Sequence, residues 1–177
     1  NRKYKIYGVY NQKKPSFKRE AVKIMKINLS NSYSSIKKKL TNINPDIVIN
    51  FAGISDVDFC EKNKKITKIV NYESCKKILN FAKENNSYLI YISTDSLFSK
   101  KKFGNEKQKT SPVNFYSKIK ILCENYINEK YKNSVIIRTR FFGLNNVKKE
   151  KNFLEQILYK LKKKQKIYCY DNLFSTP

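Results

Sequence analysis

Tyr88-Leu89-Ile90-Tyr91-Ile92-Ser93 and, upstream of it, Asp46-Ile47-Val48-Ile49-Asn50-Phe51 decide the fold class. Both runs are short and rich in β-branched and aromatic residues. Asp46–Phe51 is nearly all apolar, as expected of a strand covered on both faces. Working outward, Tyr4–Tyr10, Val22–Asn28, Ser134–Thr139 and Ile167–Tyr170 read as further strands. Between them lie stretches with helical spacing. Ser34–Ile43 is a short Lys-rich helix, stopped ahead of Pro45 because the residue before a proline avoids the helical region. From about Cys60 to Glu84, apolar residues such as Ile66, Ile69, Ile78 and Leu79 recur at helical intervals, and Tyr116–Tyr131 and Asn152–Lys164 do the same. Strand–helix alternation implies right-handed βαβ units. The expected class is α/β, a parallel sheet with helices on both faces.

The chain has 177 residues and 21.0 kDa, enough for one domain, or one domain plus a fragment of another. A hydrophobic share of 40% excludes a disordered tail, and 4 Gly with 4 Pro exclude collagen-like or linker-like sequence. No apolar run approaches the ~20 residues of a membrane helix, and the first residues carry no signal-peptide core, so neither membrane nor export is expected. The net charge of +24 would suggest a nucleic-acid partner, but Arg stands only at Arg2, Arg19, Arg138 and Arg140. Sequence-specific readers favour the bidentate fork of Arg. Lys-rich, Asn-rich and Ile-rich composition is what an AT-rich genome encodes. The excess Lys therefore reads as solvated surface, with at most a diffuse attraction for phosphorylated small molecules. No specific nucleic-acid partner is expected.

There is no His, and Cys60, Cys75, Cys123 and Cys169 form no Cys-x-x-Cys pair. Zinc sites of the usual spacing and Ser-His or Cys-His catalytic pairs are excluded, and no metal is expected. The thiols read as small buried hydrophobes of a reducing cytoplasm. Any catalysis must use Tyr, Lys, Ser, Thr or carboxylates.

In open parallel sheets, ligands bind beyond the carboxyl ends of the strands. Ser93, Thr94 and Asp95 follow one such end. Farther on, Tyr116 and Lys120 stand at i and i+4, so phenol and ammonium project from one helix face. A phenol of pKa about 10 is a weak acid at neutral pH, and a nearby ammonium stabilises its anion. Such a Tyr can protonate a carbonyl oxygen while hydride arrives at the carbon, and Thr94 can donate a hydrogen bond to the same oxygen.

These residues sit in ordered blocks that resemble the extended short-chain dehydrogenase/reductase superfamily, most closely the dTDP-4-dehydrorhamnose reductase family. Asn50-Phe51-Ala52-Gly53 resembles its Asn-x-Ala segment, and Asp56-Val57-Asp58-Phe59-Cys60-Glu61 its Thr-x-Val-Asp-x-x-Glu stretch. Val70-Asn71 is similar to a Val-Asn in the next helix. Ile92-Ser93-Thr94-Asp95-Ser96-Leu97-Phe98 resembles Ile-Ser-Thr-Asp-Tyr-Val-Phe. Pro112-Val113-Asn114-Phe115-Tyr116-Ser117-Lys118-Ile119-Lys120 resembles Pro-x-Asn-x-Tyr-Gly-x-x-Lys, with Glu124 four residues on. Ile137-Arg138-Thr139 with Gly143, and Ser175-Thr176-Pro177, complete the series.

The resemblance implies a Rossmann-like sheet, a catalytic trio of Thr94, Tyr116 and Lys120, and a bound NADP or NAD. Asn50, Phe51, Ala52, Gly53, Ser93 and Thr139 would line the cofactor, with Tyr116 and Lys120 beside its nicotinamide ribose. Asn71 would either bridge backbone or touch ligand, and Glu61 and Glu124 would be structural or surface residues. The substrate would be a nucleotide sugar, reduced at a 4-keto group, and a homodimer is compatible with the family. The fold is expected to be incomplete. Gly8, Gly53, Gly104 and Gly143 are isolated, so the glycine-rich turn after a first strand has no counterpart. Residues 1–177 then form a partial NAD(P)-binding domain ending where a substrate subdomain would begin. Tyr10-Asn11-Gln12-Lys13-Lys14 lacks the acid that accepts the 2′-hydroxyl of NAD, which favours NADP. Ser96 replaces an aromatic residue beside the sugar. An epimerase or dehydratase with the same trio, or a catalytically silent subunit that holds cofactor and a partner, stays open.

Overall fold

A computed structural model describes residues 4–15, 22–98, 109–141 and 153–167. β1 (Ile6–Tyr10) pairs in parallel with β2 (Val22–Lys26), Ile6 opposite Val22 and Tyr10 opposite Lys26. β3 (Ile47–Asn50), β4 (Tyr88–Ser93) and β5 (Ser134–Arg138) form a second parallel sheet in the order β3-β4-β5. Asn50 stands opposite Tyr91, and Ser93 opposite Arg138. A doubly wound sheet runs 3-2-1-4-5-6. Here β1-β2 and β3-β4-β5 are two separate parallel sheets among the described residues, each in an order compatible with part of that series. The α/β class, the parallel pairing and the incompleteness agree with the sequence expectation.

α1 (Tyr33–Leu40) starts at Ser32, whose hydroxyl accepts the Ser35 N–H at 3.3 Å. It buries Ile36 and ends on Lys37, Lys38 and Lys39, cations well placed at the negative end of the helix. The single long helix expected from about Cys60 to Glu84 is instead four pieces. These are α2 (Val57–Lys62), α3 (Lys64–Thr67), a π-helical turn (Lys68–Glu73) and α4 (Ser74–Glu84). Asp56 caps α2 by accepting the Phe59 N–H at 2.9 Å, and Asn63, at φ −124° and ψ 55°, leaves the helical region and breaks it from α3. α5 (Phe115–Lys130) and α6 (Phe153–Lys162) follow. The strand expected over Ile167–Tyr170 has Ile167 in irregular structure, and its remainder lies outside the described residues. So do Gly104, Gly143, Cys169 and Ser175–Pro177. Among the described residues no helix is long and apolar enough to cross a membrane.

The core forms where α4 and α5 cover one face of the second sheet. Cys75, Leu79 and Ala82 from α4, Leu89 and Tyr91 from β4, and Ile119, Cys123 and Ile127 from α5 make one buried cluster. The opposite face is different. Ile47, Ile49 and Phe51 are 53%, 50% and 65% exposed, so the expectation that Asp46–Phe51 is covered on both faces fails. β3 is the outer strand of its sheet, and neither α4 nor α5 reaches its far side.

Candidate active site

The chemistry gathers where β4 ends and α5 begins. Asn114, in extended conformation, accepts the Ser117 N–H at 2.8 Å, and Glu61 of α2 accepts the Phe115 N–H at 2.8 Å. These bonds occupy donors of the first turn that no helical carbonyl can reach. The Phe115 N–H, and then Lys64, hold the Glu61 carboxyl below its usual range. The next residue, Tyr116, is half-buried, and its hydroxyl lies near that of Thr94 at the end of β4. Burial pushes the phenol pKa up, an effect the Thr94 hydroxyl partly opposes. The Tyr116 phenol therefore keeps its proton at neutral pH.

Lys120 lies one turn on, but its ammonium does not serve the phenol as the spacing suggested. Nζ donates to the Ile92 carbonyl at 2.7 Å and stands 4.5 Å from the Tyr91 ring centroid. Desolvation lowers its pKa, with the charges of Cys123, Cys75 and Glu124 opposing. A buried ammonium needs an acceptor, and the strand carbonyl beneath α5 supplies one. Thr94 and Tyr116 are brought together; Lys120 backs them through β4.

A cavity of about 320 Å³ opens between the carboxyl ends of the two sheets, lined among others by Tyr10, Asn28, Phe51, Ala52 and Gly53. Among the described residues its wall holds no carboxylate and no ammonium. Asn50 is buried and accepts the Ala52 N–H at 3.0 Å. Gly53 adopts φ +156°, and a Cβ there would meet Asn71 Oδ1 at 3.3 Å. Asn71, on the π-helical turn, accepts the Ile54 N–H at 2.7 Å and donates to the Ile54 carbonyl at 3.0 Å. Of the two roles open to Asn71, the structure shows backbone bridging. Such π-turns are frequent at functional sites, and this one pins the cavity rim.

Residues 9–177 match the family described as the RmlD substrate binding domain. The chain belongs to that family. It is 26% identical over 148 residues to dTDP-4-dehydrorhamnose reductase of Escherichia coli (strain K12), an overlap of 80% of this chain and 47% of the relative. The solved dTDP-4-dehydrorhamnose reductase of Yersinia enterocolitica is 28% identical with TM-score 0.70, covering 80% of this chain and 51% of that one. The corresponding protein of Bacillus anthracis, solved in complex with NADP, shares the fold at TM-score 0.71 and 22% identity, over 80% of this chain and 51% of its own. The chain spans about half the length of the curated relatives it matches. The extended short-chain dehydrogenase/reductase resemblance read from the motifs is thus shown.

Phe51, Ala52 and Gly53 are on the cavity wall, whereas Ser93, Tyr116, Lys120 and Thr139 are not. The Ser93 hydroxyl is turned away, donating to Glu124 at 2.5 Å. Motif matching did not single out Ser117, which donates to the Ser96 carbonyl at 2.6 Å, or Arg138, which binds Glu124. One signal was available: Ser117, Lys120 and Glu124 recur at the 3–4 residue spacing of one helix face.

Proposed function

We propose that residues 1–177 form the cofactor-facing part of an NAD(P)H-dependent reductase that acts on the 4-keto group of a 6-deoxy nucleotide sugar in the reducing cytoplasm. The observation that carries this reading is the juxtaposition of Tyr116 with Thr94 at the carboxyl end of a parallel strand, with Lys120 one turn away. Phe51, Ala52 and Gly53 would hold the dinucleotide at the cavity, whose neutral wall places no carboxylate against a 2′-phosphate. That favours NADP, the group bound in the Bacillus anthracis relative. The fit is to the nucleoside portions, since the described residues include no glycine-rich cradle for the pyrophosphate. When bound, the reduced nicotinamide supplies hydride.

The chain's own residues manage the oxygen. Thr94 orients the ketone by a hydrogen bond, and Tyr116 passes its proton to the oxygen as negative charge grows there. The raised phenol pKa keeps that proton in place at neutral pH. Lys120 holds the end of β4 against α5 through the Ile92 carbonyl.

The test is oxidation of NADPH by the full chain given dTDP-4-dehydrorhamnose, with Tyr116→Phe alongside. Loss of the general acid should slow reduction about 10²–10⁴-fold and leave NADPH affinity nearly unchanged. Undiminished turnover in Tyr116→Phe would remove the phenol from the reaction.

A further inference from the structure

One face of α5 holds β4 and the turn that follows it at three points. Ser117 reaches the Ser96 carbonyl, Lys120 the Ile92 carbonyl, and Glu124 the Ser93 hydroxyl. Glu124 differs from the other two because it also holds β5. It is 3% exposed, and Arg138 at the end of β5 donates Nε to both its oxygens at 3.2 Å and a terminal N–H to Oε2 at 2.7 Å. The Arg138 guanidinium lies 5.7 Å from the centroid of the Phe98 ring. A carboxylate this buried persists only when its charge is paired and its lone pairs are filled, and Ser93 with Arg138 do both. The residues that follow these two tethers are Thr94 and Thr139. One group therefore sets the ends of two strands against the helix that carries Tyr116 and Lys120.

We infer that Glu124 is a positioning residue, joining Ser93 to Arg138 so that Thr94 and Thr139 stand at fixed places relative to Tyr116 and Lys120. This rests on the reductase reading of the trio. The clamp also has an electrostatic side. The groups around the Lys120 ammonium are the Tyr91 ring on β4, Cys75 on α4, and Cys123 and Glu124 on α5. Burial pulls the Lys120 pKa down and the Glu124 charge opposes that pull. Removing the charge leaves desolvation less opposed, so Lys120 gives up its proton at lower pH.

The experiment uses the full chain, the Glu124→Gln variant and the double variant Glu124→Met with Arg138→Met. The double variant removes both charges together, so no unpaired ion is left inside. Three readouts are taken: the thermal midpoint, kcat and KM for NADPH with the 4-keto nucleotide sugar, and the pH profile of Lys120 acetylation by acetic anhydride, followed by peptide mass spectrometry. In the double variant kcat should fall about 10²-fold, the scale expected for a displacement of about 1 Å, while the midpoint and KM for NADPH stay near those of the parent. In Glu124→Gln the acetylation profile should move to lower pH. Parental kcat and an unmoved profile in an active chain would overturn the positioning role and leave the reductase reading standing. So would a kcat loss that only tracks loss of folded protein. A parent chain that reduces no ketone but whose Lys120 profile moves in Glu124→Gln would overturn the reductase reading and support the clamp. An inactive parent with an unmoved profile would overturn both.

Discussion

β3 and β4 are hydrogen-bonded neighbours with closely similar residues, yet their surroundings are opposite. In β4, Leu89 and Tyr91 are each 1% exposed beneath α4 and α5, and Ser93 is tied down by Glu124. In β3, Ile47 and Ile49 are half in solvent, and the next residue, Phe51, forms the cavity wall. An apolar composition thus permits burial without producing it. What decides is whether a helix from elsewhere in the chain lies across that strand. The difference also separates two parts of the proposed site: β4 ends at Thr94, and β3 leads into the cavity rim at Phe51.

The comparison can be broken most forcefully at β4. Leu89→Ala should cost about 2–5 kcal/mol, the range for truncating a fully buried leucine, measured by denaturant unfolding. A loss below about 1 kcal/mol would mean that the cluster under α4 and α5 is loosely packed. At the rim, Gly53→Ala forces a side chain into φ +156° and against Asn71, so a cost of about 1–3 kcal/mol is expected. NADPH binding should weaken with it, because Ile54 is held by the same Asn71 side chain. Unchanged stability and affinity would show that the rim adapts freely. The smallest effect is expected on the bare face. Ile49→Ala should change stability by no more than about 1 kcal/mol, as at other substantially exposed positions. An Ile49→Ala loss as large as that of Leu89→Ala would show that this face is covered in solution.

Much of the candidate site was legible in the sequence because its signals are local. The step from Tyr91-Ile92-Ser93 into Thr94 marks a strand end, and Asn114 three residues before Ser117 marks a helix start. The bounds of α5 follow from that cap, and its phase puts Tyr116 and Lys120 on one side. Less legible was the break at Asn63, since Ile66 and Ile69 keep a helical rhythm directly after a residue whose backbone has left the helix. The roles of Ser93 and Glu124 were hidden for another reason. Their bond joins positions 31 residues apart, and nothing in either neighbourhood announces it.

By itself the sequence determined the five strands of the two sheets, the place where α5 begins and the spacing of Tyr116 and Lys120. Each of these depends on backbone sterics and hydrogen bonds spanning a few residues. Only the tertiary structure decided that the Lys120 ammonium turns to the Ile92 carbonyl, that Glu124 is buried between Ser93 and Arg138, and that Ile47 and Ile49 of β3 face water. The physical reason is common to all three. A buried charge goes to whichever partner the packing brings within reach, and a side chain is buried only when distant segments arrive to cover it.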